Sequence, residues 1–205
     1  MPSLLRLFLC GLLLASPADV QRTRRPPSAQ KKAIDALQVQ EDFDPEKFAG
    51  NWFLIAVASR CPYLAENHHR LEAINAVVSV LHGPSSEKSL AVNTFRPLDG
   101  HCWNITQTYV PSGIRGRFHI IGRGPTVEAA VGETDYSAYA VLFLQKGQRI
   151  SAKLYGRSAN VGDAVMAKYK RRVAELGMDE DFIYYYPVYG FCNKADSFHT
   201  LDESE

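Results

Sequence analysis

The chain has 205 residues, a formal net charge of +1 and 22% charged residues, so the whole-chain balance points to neither nucleic acid nor an anionic membrane surface as partner. Hydrophobic residues make up 46%, and aromatic content is 11%, with ten Tyr and ten Phe. That length allows one domain with a sizeable core, and the aromatic content favours a β-rich fold.

Arg6 and the apolar run Leu7 to Leu14, followed by Ser16-Pro17-Ala18, have the form of a signal peptide over residues 1–18. The run is too short to span a bilayer, and small residues stand where a signal peptidase reads. The chain is therefore expected to be secreted, extracellular and soluble in plasma. Residues 19–42 carry Arg22, Arg24, Arg25, Pro26, Pro27, Lys31 and Lys32 and read as a flexible basic arm. A domain over residues 43–205 follows.

Short apolar runs then recur between turn signals: Trp52–Ala58, Ala73–Leu81, Ser89–Phe95, Cys102–Val110, Arg115–Ile121, Thr126–Glu133, Ala138–Gln145 and Arg149–Tyr155. Most are separated by Gly, Pro, Asp or Ser and lie close enough to form hairpins. Such a series suggests an up-and-down barrel or a sandwich. Val165, Tyr169, Val173 and Leu176 then form a helical apolar stripe. Asn160 and Asp163 resemble a capping box, Gly177 stands at a stop position, and Lys170, Arg171 and Arg172 suit the C-terminal dipole. Phe182–Tyr186 can add a last strand.

There are four cysteines, and Cys10 lies in the signal peptide. Cys61, Cys102 and Cys192 remain, so in an oxidising compartment one thiol lacks a partner within the chain, and arithmetic leaves three pairings open. No H-E-x-x-H or C-x-x-C spacing is present, and no metal or cofactor is implied.

Three motifs fall in order: Gly50-Asn51-Trp52 after Phe43-Asp44-Pro45, Thr134-Asp135-Tyr136 at the end of the sixth strand, and Arg157 after the eighth. Together with the late helix they resemble the lipocalin signature across nearly all of residues 43–205. The resemblance implies an all-β fold: an eight-stranded antiparallel up-and-down barrel, or calyx, with one packed C-terminal helix and a short final strand. Trp52 can plug one end, Gly50 permits close backbone approach, Arg157 can cover the indole, and Thr134-Asp135-Tyr136 makes the neighbouring turn. These residues are structural and name no ligand.

In lipocalins a disulfide often ties the C-terminal segment to a middle strand, which implies Cys102 bonded to Cys192 and leaves Cys61 at the mouth. Alternation then places Cys102 outward and Trp103, Ile105, Gln107 and Tyr109 toward the calyx. Asn104-Ile105-Thr106 is the one N-glycosylation sequon, and Asn104 shares the outward face.

Three lipocalin branches place a cysteine near Cys61. In a prostaglandin synthase branch it is the nucleophile; in the alpha-1-microglobulin branch it is an exposed thiol linked to reduction; in a complement branch it bonds to another chain. His68-His69, with Arg60, Arg70 and Glu66, read as exposed loop residues rather than as a catalytic set. The stretches Asn93–Trp103, Ile183–Cys192 and Ala195–Glu203 resemble the complement branch, while Cys61–Leu64 and Ala152–Arg157 lean toward alpha-1-microglobulin. The resemblance implies a non-enzymatic subunit. Its partners would be the alpha subunit of complement component eight, bonded through Cys61, the beta subunit of the same trimer, and other membrane attack complex components. The calyx would take an alpha-chain segment and have room in kind for a small apolar ligand such as a retinoid. The alternatives are a carrier of a small hydrophobic ligand, a thiol reductase, or an isomerase acting through Cys61.

Overall fold

The computed structural model describes residues 32–83, 88–122 and 125–201. The expected signal peptide and the basic stretch through Lys31 lie outside the described residues.

Ten strands form one sheet: β1 (Gly50–Ser59), β2 (Asn75–Leu81), β3 (Ser89–Leu98), β4 (His101–Pro111), β5 (Arg117–Ile120), β6 (Val127–Thr134), β7 (Tyr139–Lys146), β8 (Arg149–Gly156), β9 (Ile183–Tyr185) and β10 (Ser197–Thr200). The path β4-β3-β2-β1-β8-β7-β6-β5 closes through a β4–β5 pairing, so the first eight make the expected antiparallel barrel. Hairpin chemistry fixes the registers locally. Asp99 and Gly100 both adopt positive φ (52° and 79°), the two-residue turn geometry that matches strand twist, and Leu98 pairs with His101 across it.

A bulge in β1 between Leu54 and Ala56 exchanges its faces. Trp52 and Leu54 point inward before it, opposite Ala76 of β2 and Tyr155 of β8, and Val57 and Ser59 point inward after it, opposite Lys153 and Ser151 of β8. Two cores result. One fills the barrel with Trp52, Leu90, Val92, Phe118, Val131 and Leu142. The other lies outside it, where Ala56, Val141, Phe143 and Leu154 meet α3 (Asp163–Ala174) through Tyr169 and Val173. The Tyr169 hydroxyl donates to the Ala152 carbonyl at 2.8 Å, satisfying a buried polar group on the helix's apolar face.

Three expectations are corrected. Residues 32–42 are not a free arm. Ile34 is 1% exposed in the outer core, its N–H donates to Gln145, and the Arg172 guanidinium donates to the Gln38 carbonyl. Ile34 and Leu37, the two buried apolar residues of this stretch, suffice as anchors because the barrel wall and α3 supply the rest of the packing. The helix cap is Gly162, without a side-chain cap bond, so Asn160 and Asp163 make no capping box. The Asn160 carbonyl instead accepts from the Ser158 hydroxyl at 2.6 Å. The final strand also has a successor: β10, absent from the expected list, runs parallel to β4 from Trp103 to Thr106.

Candidate functional site

The barrel has a closed and an open end, built by different means. At the closed end α1 (Pro45–Phe48) crosses the opening, capped by Asp44, whose carboxylate accepts from the Glu46 and Lys47 amides. Trp52 is 2% exposed, and its indole N–H donates to the Phe48 carbonyl at 2.8 Å. The Arg157 guanidinium lies 3.7 Å from the Trp52 ring centroid. It also donates to the carbonyls of Tyr136, Asn51, Lys47 and Ala49, each at 2.9 Å. A planar donor fork is needed to reach four carbonyls while stacking, which lysine cannot do. Gly50 sits at φ +104°, and a Cβ there would come within 3.1 Å of the guanidinium. Both its backbone angle and the approach of Arg157 call for glycine.

The turn beside it is equally tied. Thr134 donates its hydroxyl to the Tyr139 carbonyl and accepts the Tyr136 N–H. One Asp135 oxygen accepts the amides of Ser137, Ala138 and Tyr139. Partial burial opposes ionisation of Asp135, but those amides outweigh it and hold the carboxyl below its ordinary range. Tyr136 takes positive φ (64°), and its hydroxyl accepts from the Asp44 amide.

Above this floor the interior is apolar and narrow. The space among Phe48, Trp52, Val92, Tyr109, Phe118 and Tyr155 is about 20 Å³, room for about one water. Burial pushes the phenols of Tyr109 and Tyr155 well above their ordinary range. Of the lining candidates Trp103, Ile105 and Tyr109, Tyr109 lines this space. Trp103 and Ile105 lie on the same face of β4 nearer the mouth and are half-buried.

The upper calyx holds two cations that the sequence reading missed. Arg96 continues the inward series Leu90, Val92, Thr94 on β3, opposite Trp103, and its Nε is buried without a partner. Lys153 shares the inward face of β8 with Tyr155, opposite Val57. Burial raises the Tyr186 phenol, and the charges of Lys153 and Arg96 pull it back toward ionisation. No inward strand position among the described residues carries a carboxylate. The period-two alternation was the available signal, since Arg96 and Lys153 have the parity of known inward residues.

At the rim, β1 ends at Ser59 and Cys61 opens α2 (Pro62–Asn67), a short helix inside a segment that reads as a loop. Cys61 is half-exposed, and its side chain makes no cap bond; its amide donates to the Ser59 hydroxyl at 3.2 Å. Arg60 does not serve the thiol. Its guanidinium donates to the Gly177 carbonyl and lies over the Phe182 ring at 5.3 Å. His68 packs against Tyr184 and His69, with ring centroids 6.0 and 6.1 Å away, so the histidine pair is an aromatic contact of the rim. Among the described residues no group of His, Cys, Asp and Glu is placed to hold a metal ion.

Cys102 and Cys192 are disulfide-bonded, with Cα atoms 5.7 Å apart, pinning the C-terminal segment to the outside of β4. Asn104, two residues on, is half-buried and also faces outward.

Residues 49–188 match the model of the Lipocalin / cytosolic fatty-acid binding protein family. The chain is 42% identical over 200 residues to the complement component C8 gamma chain of Oryctolagus cuniculus, covering 97% of this chain and 96% of that one. It is 32% identical over 165 residues to protein AMBP of Bos taurus, covering 77% of this chain and 46% of that protein. Among solved structures, one described as "The Siderocalin Ex-FABP functions through dual ligand specificities" superposes with a TM-score of 0.61 at 22% identity, over 70% of this chain and 96% of that one.

Proposed function

This chain belongs to the lipocalin family, and from that premise we propose that it is a non-catalytic, secreted subunit of complement component eight. The observation that carries the reading is the end-to-end likeness to the rabbit C8 gamma chain. In this reading Cys61 forms a disulfide to the alpha subunit, and a segment of that subunit lies at the calyx mouth. The beta subunit completes the trimer, which then enters the membrane attack complex. No helix among the described residues is long and apolar enough to cross a membrane, which suits a subunit that rides with others.

The geometry supports a tether. Cys61 is half-exposed at the rim, its neighbouring cation is engaged elsewhere, and the space at the calyx floor is too small for more than a water. A partner segment would meet the upper calyx, where Arg96 and Lys153 favour acidic or carbonyl-rich chain. A covalent bond at the rim raises the local concentration of that segment enough to hold a modest interface.

Electrophoresis of the plasma protein without reductant tests this. The expected result is a larger covalent species that releases this chain on reduction and disappears in a Cys61→Ala variant. A lone monomer with a fast-labelling Cys61 thiol overturns it and points to a small-molecule carrier or thiol reductase of the alpha-1-microglobulin kind. Isomerase activity lost in Cys61→Ala points to an enzyme.

A further inference from the structure

We propose that Asn104 carries an N-linked glycan whose innermost sugar lies against Phe198 on the outer wall of the barrel; this rests on the proposed secretion of the chain. The sequon Asn104-Ile105-Thr106 stands on β4 between two other strands, and the registers align Phe95 of β3, Asn104 and Phe198 of β10 in one row. Paired residues share a face, so both phenylalanines flank the asparagine on the outside. Phe198 is 74% exposed, an unusual place for a large aromatic on a strand that ends the sheet path. Of the Asn104 amide's two polar atoms, only Oδ1 is buried without a partner. Among the described residues the outer edge of β10 makes no ladder, and an exposed phenylalanine beside an unpaired edge invites pairing with another chain. A sugar on Asn104 covers that aromatic and blocks the approach.

Transfer fits the order in which the chain appears. In the folded protein the Thr106 hydroxyl is occupied, donating to Asn93 at 2.7 Å, and β10 covers the flank of the sequon. The strand lies beyond Cys192, which is 90 residues after its partner, so β4 is extended and free in the export compartment before the C-terminus arrives. The donor is a polyprenyl-diphosphate-linked oligosaccharide. Asn104 Nδ2 attacks the first sugar's anomeric carbon, forming a C–N bond. The C–O bond to the diphosphate breaks, the diphosphate leaves with the electron pair, and Nδ2 gives up one proton. Cys61 follows β1, separated from β4 by β2 and β3, so this glycan leaves that side of the rim clear.

The full-length chain translated with endoplasmic-reticulum microsomes tests the attachment. The expected product shows a mobility shift that peptide:N-glycosidase reverses, leaving Asp at position 104, and that Asn104→Gln abolishes. A chain that loses its leader but gains no sugar overturns the glycan and leaves the export reading standing; a chain that does neither overturns both. The contact is tested on native protein from secreting cells. Enzymatic release of the sugar should be several-fold faster in Phe198→Ala and unchanged in Phe198→Tyr. Equal rates in all three overturn the sugar–Phe198 contact.

Discussion

The two ends of this barrel are held by opposite means. The closed end is over-determined by side chains: one guanidinium serves four carbonyls and an indole, and one carboxylate oxygen serves three amides. The open end has half-exposed residues, a short helix and two late strands docked on the wall, held by a single covalent tie. Rigidity at one end frees the other for partners, because the fold does not depend on what the rim does.

The largest expected effect is at the floor. Trp52→Ala removes the ring that α1 and Arg157 both cover, and should cost about 3–5 kcal/mol, as large-to-small changes at buried aromatics do. Urea unfolding measures it. A loss under about 1 kcal/mol would mean that the floor is not the anchor its bonds suggest.

Next comes the tie at the other end. Replacing Cys102 and Cys192 by Ser opens a loop of 90 residues and should cost about 2–4 kcal/mol. Hydrogen exchange should then speed up first in β10 and the chain before it, with Trp52 to Leu54 still protected. If exchange rose equally at both ends, the two regions would be one cooperative unit and the contrast would fail.

A smaller effect separates the ends by pH. Asp135 is held below its unfolded value of about 3.9, so its contribution is present above that pH and fades as pH falls through the folded value. Asp135→Asn should therefore cost stability at neutral pH, about 1 kcal/mol by analogy with a lost helix cap, and nothing in strong acid. Unfolding midpoints for both proteins across pH 2 to 7 should converge at the acid end. A constant gap would assign the cost to packing rather than to the charged carboxylate.

What could be read in advance follows the same division. The eight barrel strands are local: each is a short apolar-rich run, most of them between turn residues, so their order and the Thr134–Tyr136 and Arg157 motifs stand out. The open end is assembled by distant partners. Ser197–Thr200 is too short and too mixed to look like a strand, and it becomes one because the disulfide delivers it to β4. Ile34 and Leu37 sit beside a basic stretch whose composition masks them, and only the barrel wall and α3 make them core. Arg96 and Lys153 needed no distant information. Their parity was on view, but charge made outward placement the default.

The smallest stability effect carries the sharpest functional one. Cys61 is half-exposed, makes no cap bond, and stands beside a cation already engaged by Gly177 and Phe182. Cys61→Ser should shift the unfolding free energy by less than about 0.5 kcal/mol, the range of ordinary surface changes. The same variant should abolish the covalent species in non-reducing gels while leaving a weaker, dilution-sensitive association through the calyx mouth. Trp52→Ala, measured where it is still folded, should do the reverse and retain the covalent bond. If Cys61→Ser destabilised the chain as much as opening the Cys102–Cys192 bond, the thiol would belong to the frame of the barrel. The separation between a self-sufficient floor and a rim available to partners would then be lost.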